Sequence, residues 1–101
     1  QSGLLALSMH DPDNRIEQAN LWRLSALVQM KTGQYEQARQ SADEALEIDR
    51  ALGLLDRIVM DLELLSSITN LQKQPHQASR FEEQARRAKA ALFELQGRVQ
   101  P

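Results

Sequence analysis

Hydrophobic positions recur along most of this chain at intervals of three and four, the spacing that gathers them on one face of a helix. Ile16, Ala19, Trp22 and Ala26 form the first run, with Leu24, Leu27, Val28 and Met30 spreading round its flank. Tyr35, Ala38, Ala42, Ala45 and Leu52 form the second, and Leu55, Ile58, Val59, Leu62, Leu65, Ile68 and Leu71 the third. The fourth carries Ala78, Phe81, Ala85, Ala88, Leu92 and Leu95. Glycine and proline fall almost only between these runs, as helix stops and starts require. This punctuation predicts a first helix opened by Asp11-Pro12, reaching about Thr32 and stopped by Gly33, then a second from Gln34 or Tyr35 to Leu52, ended by Gly53. A third should start between Leu54 and Asp56 and reach about Lys73, and Pro75 should open a fourth that closes at Gly97. No period-two alternation persists, and the abundant residues are good helix formers, so the fold class is all-α.

The breadth of each apolar run predicts how the helices are layered. The first and third are apolar over much of their circumference and should be packed on more than one side, whereas the narrower second and fourth should be outer helices. Alanines in the narrow stripes let helix axes approach toward the lower end of the ~8 to 10 Å range. Trp22 and the leucines would fill the opposing gaps. On the last helix, Glu82 with Arg86 and Glu83 with Arg87 have the spacing of favourable pairs worth roughly 0.2 to 0.5 kcal/mol each.

With 101 residues, the chain makes one domain, spanning 1–101. Its parts are a leading segment 1–10, a helical hairpin 12–52 and a second hairpin 54–97. The net charge of -2 and pI near 5.6 give no footprint for nucleic acid, although Arg80, Arg86, Arg87 and Lys89 gather in one helix. Without cysteine there is neither a disulfide framework nor a thiolate metal site; the cytoplasm is compatible and favoured. No apolar run approaches the ~18 residues of a membrane span, and Gly3 to Met9 is too short and lacks the basic leader of a signal peptide. A start at Gln-Ser-Gly suggests a fragment or processed product, in which Leu4 to Met9 would be the tail of a preceding helix.

Chemistry is sparse. His10 and His76 stand at helix boundaries without a partner at i+3 or i+4 that would make a metal pair. Asp43, Glu44, Glu47 and Asp49 match a solvated helix face and lack the glycine pattern of a calcium loop. The isolated Gly33, Gly53 and Gly97 follow helical segments, whereas a phosphate cradle clusters its glycines before one. Ser66 and Ser67 have no base to activate them. The chain is therefore expected to have no catalytic residues, cofactor or metal.

Trp22, Ala26, Gly33, Tyr35, Ala38, Ala45 and Leu46 together resemble the tetratricopeptide repeat: a large aromatic and a small residue in one helix, a turn glycine, an aromatic, and two alanines seven apart in the next. A weaker copy follows 40 residues later, with Leu62, Ser66, Ala78 and Ala85 in the same places. Ser25, Gln29, Ala42 and Arg50 depart from the family pattern in the first copy, as do Lys73 and Pro75 in the second. A spacing of 40 rather than 34 is similar to longer variants of the family in regulators and scaffold proteins. The resemblance covers about Ile16 to Leu95.

This resemblance implies antiparallel helical hairpins stacked as a short right-handed solenoid of about four helices. It also implies a non-enzymatic protein–protein interaction module that binds a peptide or helix on the concave face formed by the first helix of each repeat. Carried over, that face comprises Asn20, Arg23, Leu27, Met30 and Lys31, with Met60, Glu63, Ser67 and Asn70. Arg23 and Lys31 would receive an acidic group, and Leu27, Met30 and Met60 would form an adaptable apolar floor. The Lys and Asn set with which some members hold a C-terminal carboxylate is not reproduced, since Arg23 and Leu27 occupy those places. Two repeats fall short of the three or so that a solenoid needs, which points to a larger parent protein or to a homo-oligomer. Phe93, off the main stripe, either packs locally or marks another contact. The competing readings are an oligomerisation domain built on the fourth helix and a sensor domain of a transcriptional regulator.

Two substitutions express these expectations. Trp22→Ala should cost roughly 3 to 5 kcal/mol if the indole is buried. Arg23→Glu should weaken partner binding with the fold intact.

Overall fold

The computed structural model describes residues 12–99. His10, the Asp11 cap and the Leu4 to Met9 segment lie outside the described residues. Four helices follow one another: α1 (Pro12–Lys31), α2 (Tyr35–Leu52), α3 (Leu55–Leu71) and α4 (Pro75–Val99). The described residues contain no strand, and none of these helices is long and apolar enough to cross a membrane. Gly97 does not end α4, which continues to Val99. An isolated glycine costs a helix only about 1 kcal/mol relative to alanine, too little by itself to force a stop.

All three interhelical turns use the same device. Gly33 and Gly53 have φ of 83° and 69°, the left-handed conformation that lets the next amide turn back onto the helix just finished. Gly33 N–H donates to Met30 O at 3.2 Å and Gln34 N–H to Gln29 O at 2.8 Å. Forty residues on, Lys73 N–H donates to Asn70 O at 3.0 Å and Gln74 N–H to Thr69 O at 2.9 Å. Lys73 reaches φ 61° despite its Cβ. The turn is thus repeated in geometry where it is not repeated in residue type.

Each helix packs on the next, α1 meets α3 lightly, and α1 and α4 do not touch. The four helices therefore form an open succession with extents of 46 × 42 × 17 Å rather than a closed ring. Alanines at 26, 38, 42 and 85 and large residues from α3, chiefly Ile58, Leu62, Leu65 and Ile68, make the core. Between α2 and α4, α3 is covered on two sides, as its broad apolar circumference requires.

For α1 the same breadth has another outcome. Leu21, Leu24 and Val28 are more than half exposed, because nothing described lies against the side of α1 that faces away from α2 and α3. Forty residues later the equivalent positions of α3 are Asp61, Leu64 and Ile68, all buried. Trp22 is also not a core residue: it is 41% exposed and lines an open depression of about 540 Å³ with Gln29, Gln37 and Ser41. On α4, Arg86 and Arg87 both pair with Glu83 at 3.2 Å, while Glu82 accepts from Ser66 at 3.2 Å, so the expected Glu82 to Arg86 pair gives way to an interhelical bond.

These burials set three stabilities, measurable by urea unfolding. Leu65→Ala, at a fully buried site, should cost about 2 to 5 kcal/mol, and Trp22→Ala only roughly 2. Lys73→Gly should instead stabilise by about 1 kcal/mol, by removing the Cβ from a left-handed residue. A loss on Lys73→Gly would contradict the turn geometry.

Candidate functional site

Among the residues proposed from sequence, Asn20, Leu27 and Lys31 of α1 and Met60, Ser67 and Asn70 of α3 are solvent-exposed. Their spacing keeps each set on one side of its helix. Asn20 Oδ1 ties the two helices together, accepting from Arg57 Nη1 of α3. Leu27 is 37% exposed and Met60 49%, so two flexible or branched apolar side chains stand in solvent beside amides, a hydroxyl and one cation. Phe93, at 78% exposure, has no local packing either.

Three members of the set are placed elsewhere. Met30 is half-buried and packs against the core. Glu63 reaches across to α4 and pairs with Lys89 at 2.5 Å. Arg23, expected as a free cation, is 8% exposed. Its Nη2 donates to Asp49 Oδ2 at 2.6 Å, its Nε to Asp61 Oδ1 at 2.7 Å and its Nη1 to Asn20 Oδ1 at 2.8 Å. All three guanidinium nitrogens are engaged inside the fold, and the buried group does not stand free as a receptor for an incoming carboxylate.

Why the chain puts charge here follows from helix geometry. Arg23 shares an inward stripe with Ala19, Ala26 and Met30; Asp49 continues the stripe of Ala38, Ala42 and Ala45; Asp61 lies between Ile58, Leu65 and Ile68. Small residues on α1 and α2 bring those backbones close, and one residue from each of three helices then meets at a point. Asp49 and Asp61 are both 0% exposed. The acidic cluster expected on a solvated face is thereby divided: Asp43, Glu44 and Glu47 are exposed, and Asp49 is interior.

Burial pushes the Asp61 carboxyl up to about 7, aided by its hydrogen-bonding contact with Asp49 and opposed by Arg23. Asp43, though exposed, is also raised, first by partial desolvation, with Arg39 opposing, Glu36 reinforcing and Arg50 opposing. The first hairpin's Arg23 and Asp49 have counterparts 40 residues on in Glu63 and Lys89, with the charges exchanged and both side chains about half exposed. Asp61 is a functional candidate that spacing and motif do not mark. The signal is a charged residue on an apolar stripe, with the opposite charge of Arg23 on the stripe of α1 and the like charge of Asp49 on that of α2.

The chain matches no family model, no curated protein and no solved structure. Among the described residues no three histidines or carboxylates lie close enough to hold a metal ion.

Arg23→Met should therefore act on stability and not on a surface, costing about 3 to 5 kcal/mol because two buried carboxyl groups lose their shared cation. Lys31→Met, in solvent, should stay within about 0.5 kcal/mol. Arg23→Glu, which puts a third carboxylate among two, should unfold the chain before it reports on binding. Circular dichroism melts compare all three, and a native-like melt for Arg23→Glu would contradict the triad.

Proposed function

We propose that this chain is a non-enzymatic protein-binding module of tetratricopeptide-like hairpins, part of a longer array, which takes a peptide or helix on the side formed by α1 and α3. The observation that carries this reading is the recurrence at 40 residues. Left-handed turns at Gly33 and Lys73 share their hydrogen-bond pattern, and Ala38 and Ala45 in α2 match Ala78 and Ala85 in α4, all four buried. A unit that repeats in this way buries its face against the next unit. The exposed Leu21, Leu24 and Val28 of α1, equivalent to buried positions of α3, fit a preceding hairpin covering them. Leu27, Met60, Ser67, Asn70, Asn20 and Lys31 then form the recognition face, an apolar pair with polar groups on both helices. Extended or helical peptides suit such a surface, because apolar anchors supply affinity while amides and a cation set orientation.

Self-association is the second reading, favoured by Phe93 at 78% exposure and Leu95 at 49% near the end of α4.

Selecting 12-residue peptides from a displayed random library against the immobilised chain tests the recognition face. Binders should lose at least about tenfold in affinity, roughly 1.4 kcal/mol, with Leu27→Asp and Met60→Asp together, and little with Phe93→Asp. Binders indifferent to Leu27 and Met60 would refute the face. If Phe93→Asp alone converts a dimer to a monomer in light scattering, the second reading takes its place.

A further inference from the structure

We propose that the junction of α1, α2 and α3 is a proton-dependent lock, in which Asp61 keeps its proton and donates it as a hydrogen bond to Asp49, while Arg23 clamps both carboxyl groups. The inference does not depend on what the protein binds.

Charge and hydrogen-bond accounting lead to the same place. Arg23 brings one positive charge to two carboxylates that are both fully buried, so without a proton the junction holds a net negative charge out of water. Each carboxyl group spends one oxygen on Arg23. The other oxygens, Asp49 Oδ1 and Asp61 Oδ2, are buried and have no donor. The two carboxyl groups are within hydrogen-bonding contact, and two acceptors cannot satisfy each other unless one of them carries a hydrogen. A single proton on Asp61 supplies the missing donor, relieves the like-charge contact with Asp49 and brings the junction to neutrality. The position of its titration, near neutral pH, fits this state.

Groups from each neighbouring helix have been placed. From α1 come Arg23 and the amide of Asn20, from α2 Asp49, and from α3 Asp61 itself, with Arg57 bonding Asn20 at the edge. On α4, Lys89 is engaged by Glu63, and no α4 group contributes to the raised affinity of Asp61 for its proton. Arg23 is the cation that opposes protonation, and burial together with Asp49 outweighs it.

The sign follows from linkage. In the unfolded chain Asp61 has its ordinary value of 3.8, and in the folded chain about 7. Between those values the folded state holds a proton that the unfolded state has lost, so stability from this site is complete below about pH 4 and is lost as pH rises through about 7. Most carboxylates push the other way, so the site is isolated by difference. Asp61→Asn presents an amide donor to Asp49 and a carbonyl to Arg23, copying the protonated acid without its titration.

The experiment has two parts, both on the full chain. Carboxyl carbon NMR of the folded protein, titrated from pH 4 to 9, should show Asp61 losing its proton near neutrality. In Asp49→Asn, where Asp61 faces a cation and no second anion, that midpoint should move down. Melting temperatures taken over the same range should show Asp61→Asn gaining on the unsubstituted chain as pH rises from 5 to 8. An Asp61 signal already deprotonated at pH 5, or a melting difference that does not change with pH, overturns the proposal. The NMR measurement decides the matter even where Asp61→Asn fails to fold.

Discussion

The placement of α3 on the first hairpin depends on one buried guanidinium. Among the described residues, Arg23 from α1 touches a carboxyl group of α2 and a carboxyl group of α3 at once, at 2.6 and 2.7 Å. Apolar packing alone would not demand this arrangement. The alanine stripes of α1 and α2 form a smooth surface, over which a leucine-rich helix can slide by a turn at little cost. Polar pairing removes that freedom: a slipped α3 carries Asp61 away from Arg23 and Asp49 and leaves buried hydrogen-bonding groups without partners, at about 1 to 3 kcal/mol each. The triad acts as a registry mark more than as a source of net stability, since burying the Arg23 and Asp49 ion pair with the Asp61 carboxyl group consumes much of what their attraction returns.

The second hairpin shows the same position used differently. Glu63 and Lys89 repeat the Arg23 and Asp49 link with the charges exchanged, but about half of each side chain is in water. An exposed pair of this kind contributes between about 0 and 1 kcal/mol. The contrast lies in the third partner: α3 covers the first pair and brings Asp61 to it, and no described helix covers the second. Exposure of Leu21, Leu24 and Val28 at the other end is the same situation seen from α1.

Much of the fold could be read from the sequence because its punctuation is local. Gly33, Gly53 and Pro75 mark three boundaries to within a residue, and the broad apolar circumference of α3 announces burial on two sides. Where the reading failed, the missing information was tertiary. Trp22 and Leu24 carry the composition of core residues, and only the absence of a described neighbour leaves them exposed. Gly97 has the residue type of a stop without a chain that turns there. Charge points Arg23 and Asp49 to water by residue type, although each stands in line with buried alanines. Of the proposed recognition residues, only Arg23 and Met30 are not exposed, while Glu63 is exposed but paired with Lys89 within the fold.

Replacing the triad piece by piece and then whole tests the registry account most directly. Urea unfolding would be compared for Arg23→Met, Asp49→Leu and Asp61→Leu singly and for the three combined. If the ions act as one unit, at least the Arg23 variant is costly and the triple variant recovers most of that loss, because no charge is then left unpaired. Losses that simply add, with the triple variant the least stable of all, would contradict the claim that these three residues lock the helices together.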